Sequence, residues 1–234
     1  NKITDYREML QKWAEHGAIT VAGYILGFPG DTKESILRDV AIIQRELPVD
    51  ILEFFFLTPL PGSEDHKVQW SKGVWMDPDL NKYDLNHRVS HHPKMSDAEW
   101  EDAYRAAWQA YYSPEHVRTI LKRTAAEKPI MLGGITSTLL WFNTMIPLEG
   151  LHPLEGGMIR MKYRRDRRPG LPLESPFVFY PRLARETVRK LRGYWSTWRL
   201  FHAIRKEVAA DPDARNYTDL ALSPLMENEA ESLD

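Results

Sequence analysis

The chain has 234 residues, no cysteine and a formal net charge of −2. This length is enough to bury a hydrophobic core in one or two domains. The lack of cysteine excludes disulfides, zinc–thiolate sites and thiolate-held clusters within these residues. Charge is uneven: residues 160–206 hold 14 Lys and Arg against three acidic residues, whereas residues 207–234 hold eight acidic residues and one Arg. We expect these blocks to neutralise each other within the fold, and an anionic partner is the alternative.

The first third of the chain predicts a helix followed by a strand–helix–strand unit. Thr4 can cap a helix that ends at Gly17, and residues 18–26 form an apolar, β-rich strand. Asp31 or Thr32, with Glu34 in capping-box spacing, begins the next helix, which Pro48 stops. Residues 51–57 form a second strand. Two apolar strands joined by a helix predict a parallel βαβ unit whose ligand-facing edge lies at the carboxyl ends of the strands.

The middle of the chain predicts a polar loop over residues 63–94 and then helices. Ser96 and Glu99 form a capping box before an aromatic stripe that we expect in the core, and Ser113 with Pro114 begins another helix. Residues 130–146 are free of charges, and we favour a buried helix after a loop over a membrane span. The members of the aromatic stripe are Trp100, Tyr104, Trp108 and Tyr111.

The last third predicts irregular structure over residues 147–180, then one basic amphipathic helix, then a loosely ordered acidic tail from about Asp211. We expect the helix to dock on the rest of the protein, and contact with an anionic membrane surface is the alternative. Its predicted apolar stripe consists of Val188, Leu191, Trp195, Trp198, Ile204 and Val208.

Two segments carry a resemblance to a known family. Residues 23–31 read Gly-Tyr-Ile-Leu-Gly-Phe-Pro-Gly-Asp and residues 57–63 read Leu-Thr-Pro-Leu-Pro-Gly-Ser. Together they resemble the late part of a radical S-adenosylmethionine barrel, in particular the cobalamin-binding subgroup that includes proteins resembling anaerobic magnesium-protoporphyrin ester cyclase. Residues 95–116 resemble the C-terminal extension of that subgroup. The resemblance covers residues 1 to about 122.

The resemblance implies an α/β fold: the C-terminal part of a partial TIM-like barrel over residues 1–66, a loop and helical extension over 67–125, and an accessory region over 126–234. It also implies S-adenosylmethionine, a [4Fe-4S] cluster, cobalamin, an electron donor and a small-molecule substrate. The family's Cys-x-x-x-Cys-x-x-Cys loop and cobalamin domain are absent from this sequence. We therefore expect a C-terminal fragment, inactive alone, of a cytoplasmic enzyme that acts on an unactivated carbon by methyl transfer or oxidative cyclisation.

The resemblance also implies which residues meet the cofactor. The Gly-x-Ile-x-Gly strand would lie beside the adenosyl group, and glycines on one strand face offer a flat backbone surface for a purine. The predicted cofactor-binding residues are Gly23, Ile25, Gly27, Phe28, Pro29, Gly30, Leu57, Thr58 and Pro59. The predicted substrate-binding residues are Glu53, Phe54, Phe56 and His91, and Glu53 is the one carboxylate inside an apolar strand.

Three alternatives stay open. The glycines can serve only tight packing of a strand against a helix. His66, Asp84, His87, His91 and His92 could hold a metal, although we expect a rim loop and no metal site. The whole chain could instead be a non-catalytic module that uses the basic helical segment to bind RNA or a membrane surface. We expect no nucleic-acid partner and no transmembrane segment, and peripheral membrane contact stays open.

Overall fold

A parallel two-stranded sheet sits on a layer of helices. The computed structural model describes residues 2–156, 162–167 and 169–224. Among them, the α/β class with a mainly helical second half is confirmed. The elements are α1 (Ile3–Glu15), β1 (Val21–Leu26), α2 (Lys33–Glu46), β2 (Ile51–Phe56), α3 (Glu64–Ser71), α4 (Asp97–Tyr111), α5 (Pro114–Glu127), α6 (Leu132–Thr144) and α7 (Pro176–Ala210).

The predicted βαβ unit is confirmed as β1, α2 and β2. The strands are parallel, with Val21 opposite Ile51 and Leu26 opposite Phe56. Side chains alternate between the two faces of a strand, and Leu26, Phe54 and Phe56 on one face are buried in the core with residues of α2 and α4. The predicted aromatic stripe of α4 is confirmed as core, since Trp100 and Tyr104 pack on Phe56. Two strands alone do not make a barrel, so the partial TIM barrel stays a prediction.

The two edges of the sheet differ. The outer edge of β2 is covered, because the hydroxyl of Tyr112 donates to the Leu52 carbonyl at 2.9 Å and the Phe56 amide donates to the Leu85 carbonyl at 2.9 Å. Toward β2, the Thr20 and Leu26 carbonyls of the first strand accept hydrogen bonds. In a parallel strand, the amide and carbonyl of successive residues point alternately to the two sides of the strand. Those of residues 21, 23 and 25 therefore point away from β2. Within the described chain they pair with no other strand.

Several predicted helix ends are corrected. α1 begins after Lys2, whose amide donates to Asp5, and not at Thr4. Thr32, one of the two predicted caps of α2, is confirmed as its N-cap, and its capping-box partner is Ser35 in place of Glu34. These shifts of one or two residues arise because several neighbouring side chains can cap the same turn.

Larger corrections concern two segments that are rich in loop-forming residues. α3 lies inside the predicted polar loop, where Ser63 caps the helix by accepting from the His66 amide. α7 begins at Pro176, inside the segment predicted to be irregular, because a proline at the first helical position is compatible with the helix.

The helices α5, α6 and α7 pack together as the second half of the fold. α7 contacts α5 and α6, so it docks mainly on helices. Its predicted single apolar stripe is corrected: Ile204 and Val208 are buried, whereas Trp195 and Trp198 are exposed. One buried ion pair, between Lys190 and Glu149, joins α7 to the turn after α6.

The predicted buried helix at residues 130–146 is α6, with Ile135 and Leu139 fully buried. By length and composition, the helical segment Pro129–Glu149 also passes as a membrane span, and 39% of its most apolar stretch is buried in the fold. A core helix passes the same test, so this is weak evidence for a membrane span.

Buried His116 predicts acid sensitivity. Burial, with the nearby charge of Arg123, lowers the pKa of His116 from 6.5 to about 3. Unfolding then takes up a proton between these pH values, so His116 costs no stability above pH 6.5 and destabilises the fold progressively as pH falls. Relative to His116→Gln, we expect the unmodified chain to lose about 2 kcal/mol between pH 7 and pH 5 in urea unfolding. Parallel pH profiles for the two proteins would contradict this.

Candidate functional site

The two segments that carry the family resemblance lie side by side. The first segment contains the end of β1 and the turn after it, and the second begins directly after β2. Because the strands are parallel neighbours, both turns lie at the carboxyl end of the sheet. The Leu57 amide donates to the Leu26 carbonyl at 2.9 Å, which ties the start of the second turn to the end of β1. Carboxyl ends of parallel strands are where α/β proteins bind ligands.

One face of the sheet is open at β1. Gly23 and Ile25 share this face, opposite the buried Leu26 side, and Ile25 is 47% exposed. Gly23 pairs with Glu53 in the register of the sheet. A Cβ atom added to Gly23 would lie 3.0 Å from the ring of Phe55, so glycine keeps this surface flat beside an aromatic ring. We call the residues Gly23, Ile25, Glu53 and Phe55 the open face, in which Gly23 and Ile25 are exposed, Glu53 is buried, and Phe55 is half-buried and stacks on His152 at 5.0 Å.

Glu53 is the unusual member of the open face. Its side chain lies in a strand position that is only 9% exposed, and it makes no hydrogen bond or ion pair with the described residues. Burial raises the pKa of the Glu53 carboxyl above its ordinary value. Because a carboxylate without a partner at a buried strand position costs stability, Glu53 is the candidate ligand contact of the open face.

Asp31 lies in the turn after β1 and stabilises it with its own carboxylate. Its carboxylate accepts hydrogen bonds from the amides of Gly27 at 2.8 Å and Phe28 at 2.9 Å. The Gly27 and Phe28 amides are therefore occupied within the turn. Phe28, Pro29 and Gly30 remain exposed at the tip of the turn.

Residues just before α4 also stabilise this turn, through hydrogen bonds to its carbonyls. His92 accepts hydrogen bonds from the Lys94 and Met95 amides at Nδ1, which leaves the proton on Nε2 to donate to the Phe28 carbonyl at 2.9 Å. Lys94 donates to the Gly30 carbonyl at 2.8 Å. Sequence reasoning weighed His92 only as a metal ligand. Its position just before the Ser96 capping box was the available signal that it fixes the entry to α4.

Gly27 has a packing role. Its φ is +99°, and an added Cβ atom would lie 2.2 Å from the indole of Trp100. The alternative that a glycine here serves tight packing is therefore supported for Gly27, in contrast to Gly23.

Three of the predicted substrate-binding residues lie elsewhere. Phe54 and Phe56, predicted to bind substrate, are buried on the helix side of β2, and Phe55 is the phenylalanine on the open face. His91 bonds to Asp97 at 2.9 Å and stacks on Trp75. None of its described hydrogen bonds or ring contacts involves the sheet.

In the second turn, the Thr58 hydroxyl donates to the Phe56 carbonyl at 3.0 Å.

The histidines of the 63–94 segment have local partners. His87 bonds to Asp84 at 2.7 Å, and His92 is used by the Phe28 turn. Across residues 2–156, 162–167 and 169–224, no three His, Asp or Glu side chains are grouped as a metal site requires.

A cleft of about 450 Å³ lies on the other side of β1, between α1 and α2. It is mostly apolar, and in it the hydroxyl of Tyr24 donates to Asp39 at 2.8 Å. Its position beside the free edge of β1 leaves room for side chains from a further strand. The other lining residues include Ile3, Tyr6, Ile42 and Ile43.

A scan against protein-family models, a search of curated proteins and a search of solved structures each return no match for this chain. What the chain does is therefore inferred from its own residues.

Proposed function

We propose that this chain is the late barrel and C-terminal extension of a radical S-adenosylmethionine enzyme, with the open face against the adenosyl group. The whole enzyme would be cobalamin-dependent and act on an unactivated carbon of a small molecule by methyl transfer or oxidative cyclisation. One observation carries the proposal. The two turns that bear the resemblance are neighbours at the carboxyl edge of parallel strands, beside an exposed glycine–isoleucine face.

The open face fits a nucleoside. Gly23 gives a flat backbone surface, Ile25 an exposed apolar side chain, and Phe55 an aromatic ring next to both. Glu53 supplies an acceptor for a hydroxyl or amine proton, which would provide the partner that it lacks. S-adenosylmethionine supplies radical chemistry once it receives an electron. The residues of this chain would bind it, orient it and exclude water.

These residues supply no thiolate to an iron–sulfur cluster. The chain contains no cysteine, so on this proposal the thiolates that hold a [4Fe-4S] cluster, and the cobalamin domain, belong to sequence upstream of these residues. The free edge of β1 and the cleft beside it support this order. Further strands of a barrel can add to the sheet only at that edge, since side chains and Leu85 cover the other.

The upstream reading frame tests the proposal most directly. We expect a Cys-x-x-x-Cys-x-x-Cys motif within about 150 residues before position 1, roughly half the length of a barrel. An upstream sequence without this motif would overturn the enzyme proposal.

Glu53→Gln tests the site. We expect about ten-fold weaker binding of S-adenosylmethionine, measured by calorimetry or ligand-observed NMR, because the charged acceptor is lost. The same change should stabilise the chain by about 0.5–1 kcal/mol at pH 7, because it removes an unpaired buried charge. The raised pKa of Glu53 determines how stability changes with pH. Ionised Glu53 destabilises the fold increasingly as pH rises above the ordinary glutamate pKa.

Glu115→Gln is the matched control, because Glu115 is exposed on α5. We expect it to leave binding unchanged and, unlike Glu53→Gln, to lower stability slightly, by about 0.5 kcal/mol, because it removes an acidic residue from the first turn of α5. Unchanged S-adenosylmethionine binding in Glu53→Gln would contradict the assignment of Glu53 to the site.

A further inference from the structure

α7 exposes a second apolar stripe. The face that packs on α5 and α6 includes Tyr194, Phe201 and Ile204, all buried. With 3.6 residues per turn, a separate set of apolar side chains, three, four or eight residues apart, lies on another side of the helix. These residues are between 39% and 89% exposed. We call them the outer stripe: Phe177, Tyr180, Val188, Leu191, Trp195 and Trp198.

The outer stripe is long, and exposed Ala184 lies on the same side of the helix between Tyr180 and Val188. From residue 177 to residue 198 it extends about 32 Å along the helix. The rings of Trp195 and Trp198 stack at 5.0 Å with an interplanar angle of 12°, so the two largest side chains form one apolar surface. Exposed apolar patches of this kind mark interaction sites.

A row of arginines borders the outer stripe. Arg185, Arg189, Arg192 and Arg199 also recur at helical spacing, and all four are exposed. Within the described residues none of them forms an ion pair, whereas Arg182 is paired with Glu174 at 2.7 Å. We call these four residues the arginine row. Within the described fold, the charges of the arginine row are therefore not neutralised by ion pairs.

We propose that α7 lies on an anionic lipid surface, with the outer stripe in the interface and the arginine row on the headgroup phosphates. A helix with aromatic and aliphatic side chains on one side and arginines beside them is the pattern of interfacial helices. Tryptophan favours the interface, and arginine reaches phosphates while its stem covers apolar surface. This surface belongs to α7 and is independent of the open face.

RNA fits this surface less well. Single-stranded RNA is bound by aromatic rings that are free to stack on bases. Trp195 and Trp198 stack on each other, and Val188 and Leu191 offer nothing to a base.

Vesicle sedimentation of the 234-residue chain tests the proposal. We expect binding to vesicles of phosphatidylcholine and phosphatidylglycerol, 3:1, and little binding to phosphatidylcholine alone. The triple variant Arg185→Gln/Arg189→Gln/Arg192→Gln should weaken binding about a hundred-fold, because each arginine near a charged surface contributes about five-fold. Trp195→Ser/Trp198→Ser should weaken it at least about ten-fold, because less apolar area is buried.

Two controls keep the result decisive. Lys33→Gln/Lys67→Gln/Lys72→Gln removes the same charge from outside α7 and should weaken binding by less than about five-fold. Trp195→Phe/Trp198→Phe keeps the stripe apolar and should retain binding. This variant keeps the test informative even where the serine variant fails to fold.

Three results would overturn the proposal: equal binding to neutral and anionic vesicles, equal losses in the control and arginine triple variants, or binding to an RNA oligonucleotide with no binding to vesicles. The last result would assign the arginine row to nucleic acid.

Discussion

Replacing Gly27 with alanine is expected to destabilise the chain by about 3–5 kcal/mol, or to prevent folding. The added Cβ atom would lie 2.2 Å from the Trp100 ring, and the residue has a φ of +99° that side chains with L chirality rarely adopt. Trp100 is 2% exposed and packs on Phe56, so the ring has no room to move aside. Urea unfolding followed by circular dichroism measures the effect.

Gly30→Ala is the matched control in the same turn. Nothing lies within 4 Å of its added Cβ atom, and its backbone is not in the left-handed region. We expect a change of less than about 0.5 kcal/mol. Gly27→Ala in a Trp100→Ala background separates the two causes, because only the backbone strain remains there. Equal effects of Gly27→Ala and Gly30→Ala would show that the contact with Trp100 does not decide the residue at position 27.

This result bears on how the motif is interpreted. Two glycines of one motif have different environments: Gly27 is buried under Trp100, and Gly23 faces the open side of the sheet. A glycine pattern alone cannot distinguish packing from ligand contact. The proposed site therefore depends on Gly23, Ile25 and Glu53 more than on Gly27.

Local rules predicted much of the fold. The βαβ unit followed from apolar runs, and α4 followed from the Ser96–Glu99 capping box and its aromatic stripe. α5 followed from Ser113 and Pro114. For the helices, the decisive interaction joins residues at most four apart, so the sequence pattern contains it.

Tertiary placement was harder to predict. Side chains of β2 alternate between the two faces of the sheet, so three consecutive phenylalanines cannot all lie on the open face. The run itself does not show which of them does. The stripe of α7 was predicted as one face because apolar residues on two sides of a long helix give overlapping periodicities. The role of His92 depends on a contact with Phe28, 64 residues away.

A buried ion pair at the opposite end of the sheet was likewise invisible in the sequence. Lys128 at the end of α5 donates to the Asp50 carboxylate at 2.6 Å and to the Ala18 carbonyl at 3.1 Å. The same carboxylate accepts from the Thr20 amide at 2.8 Å and from its hydroxyl at 3.0 Å. Both charged side chains are at most 5% exposed. The network thus joins the starts of both strands to α5.

Lys128→Met is expected to destabilise the chain by about 3–5 kcal/mol, because it leaves the Asp50 carboxylate buried without its counter-charge. Urea unfolding at pH 7 measures the loss. The double variant Asp50→Asn/Lys128→Met should recover part of it, since no unpaired charge then remains.

Lys33→Met provides the comparison for an exposed pair. Lys33 and Asp102 also lie 2.6 Å apart, but their side chains are 38% and 51% exposed. Water solvates both groups after the substitution, so we expect a loss of less than about 1 kcal/mol. The two pairs have the same length and differ in burial, so the contrast isolates the cost of an uncompensated buried charge. Similar losses for Lys128→Met and Lys33→Met would show that the Asp50 network does not hold the two strands and α5 together.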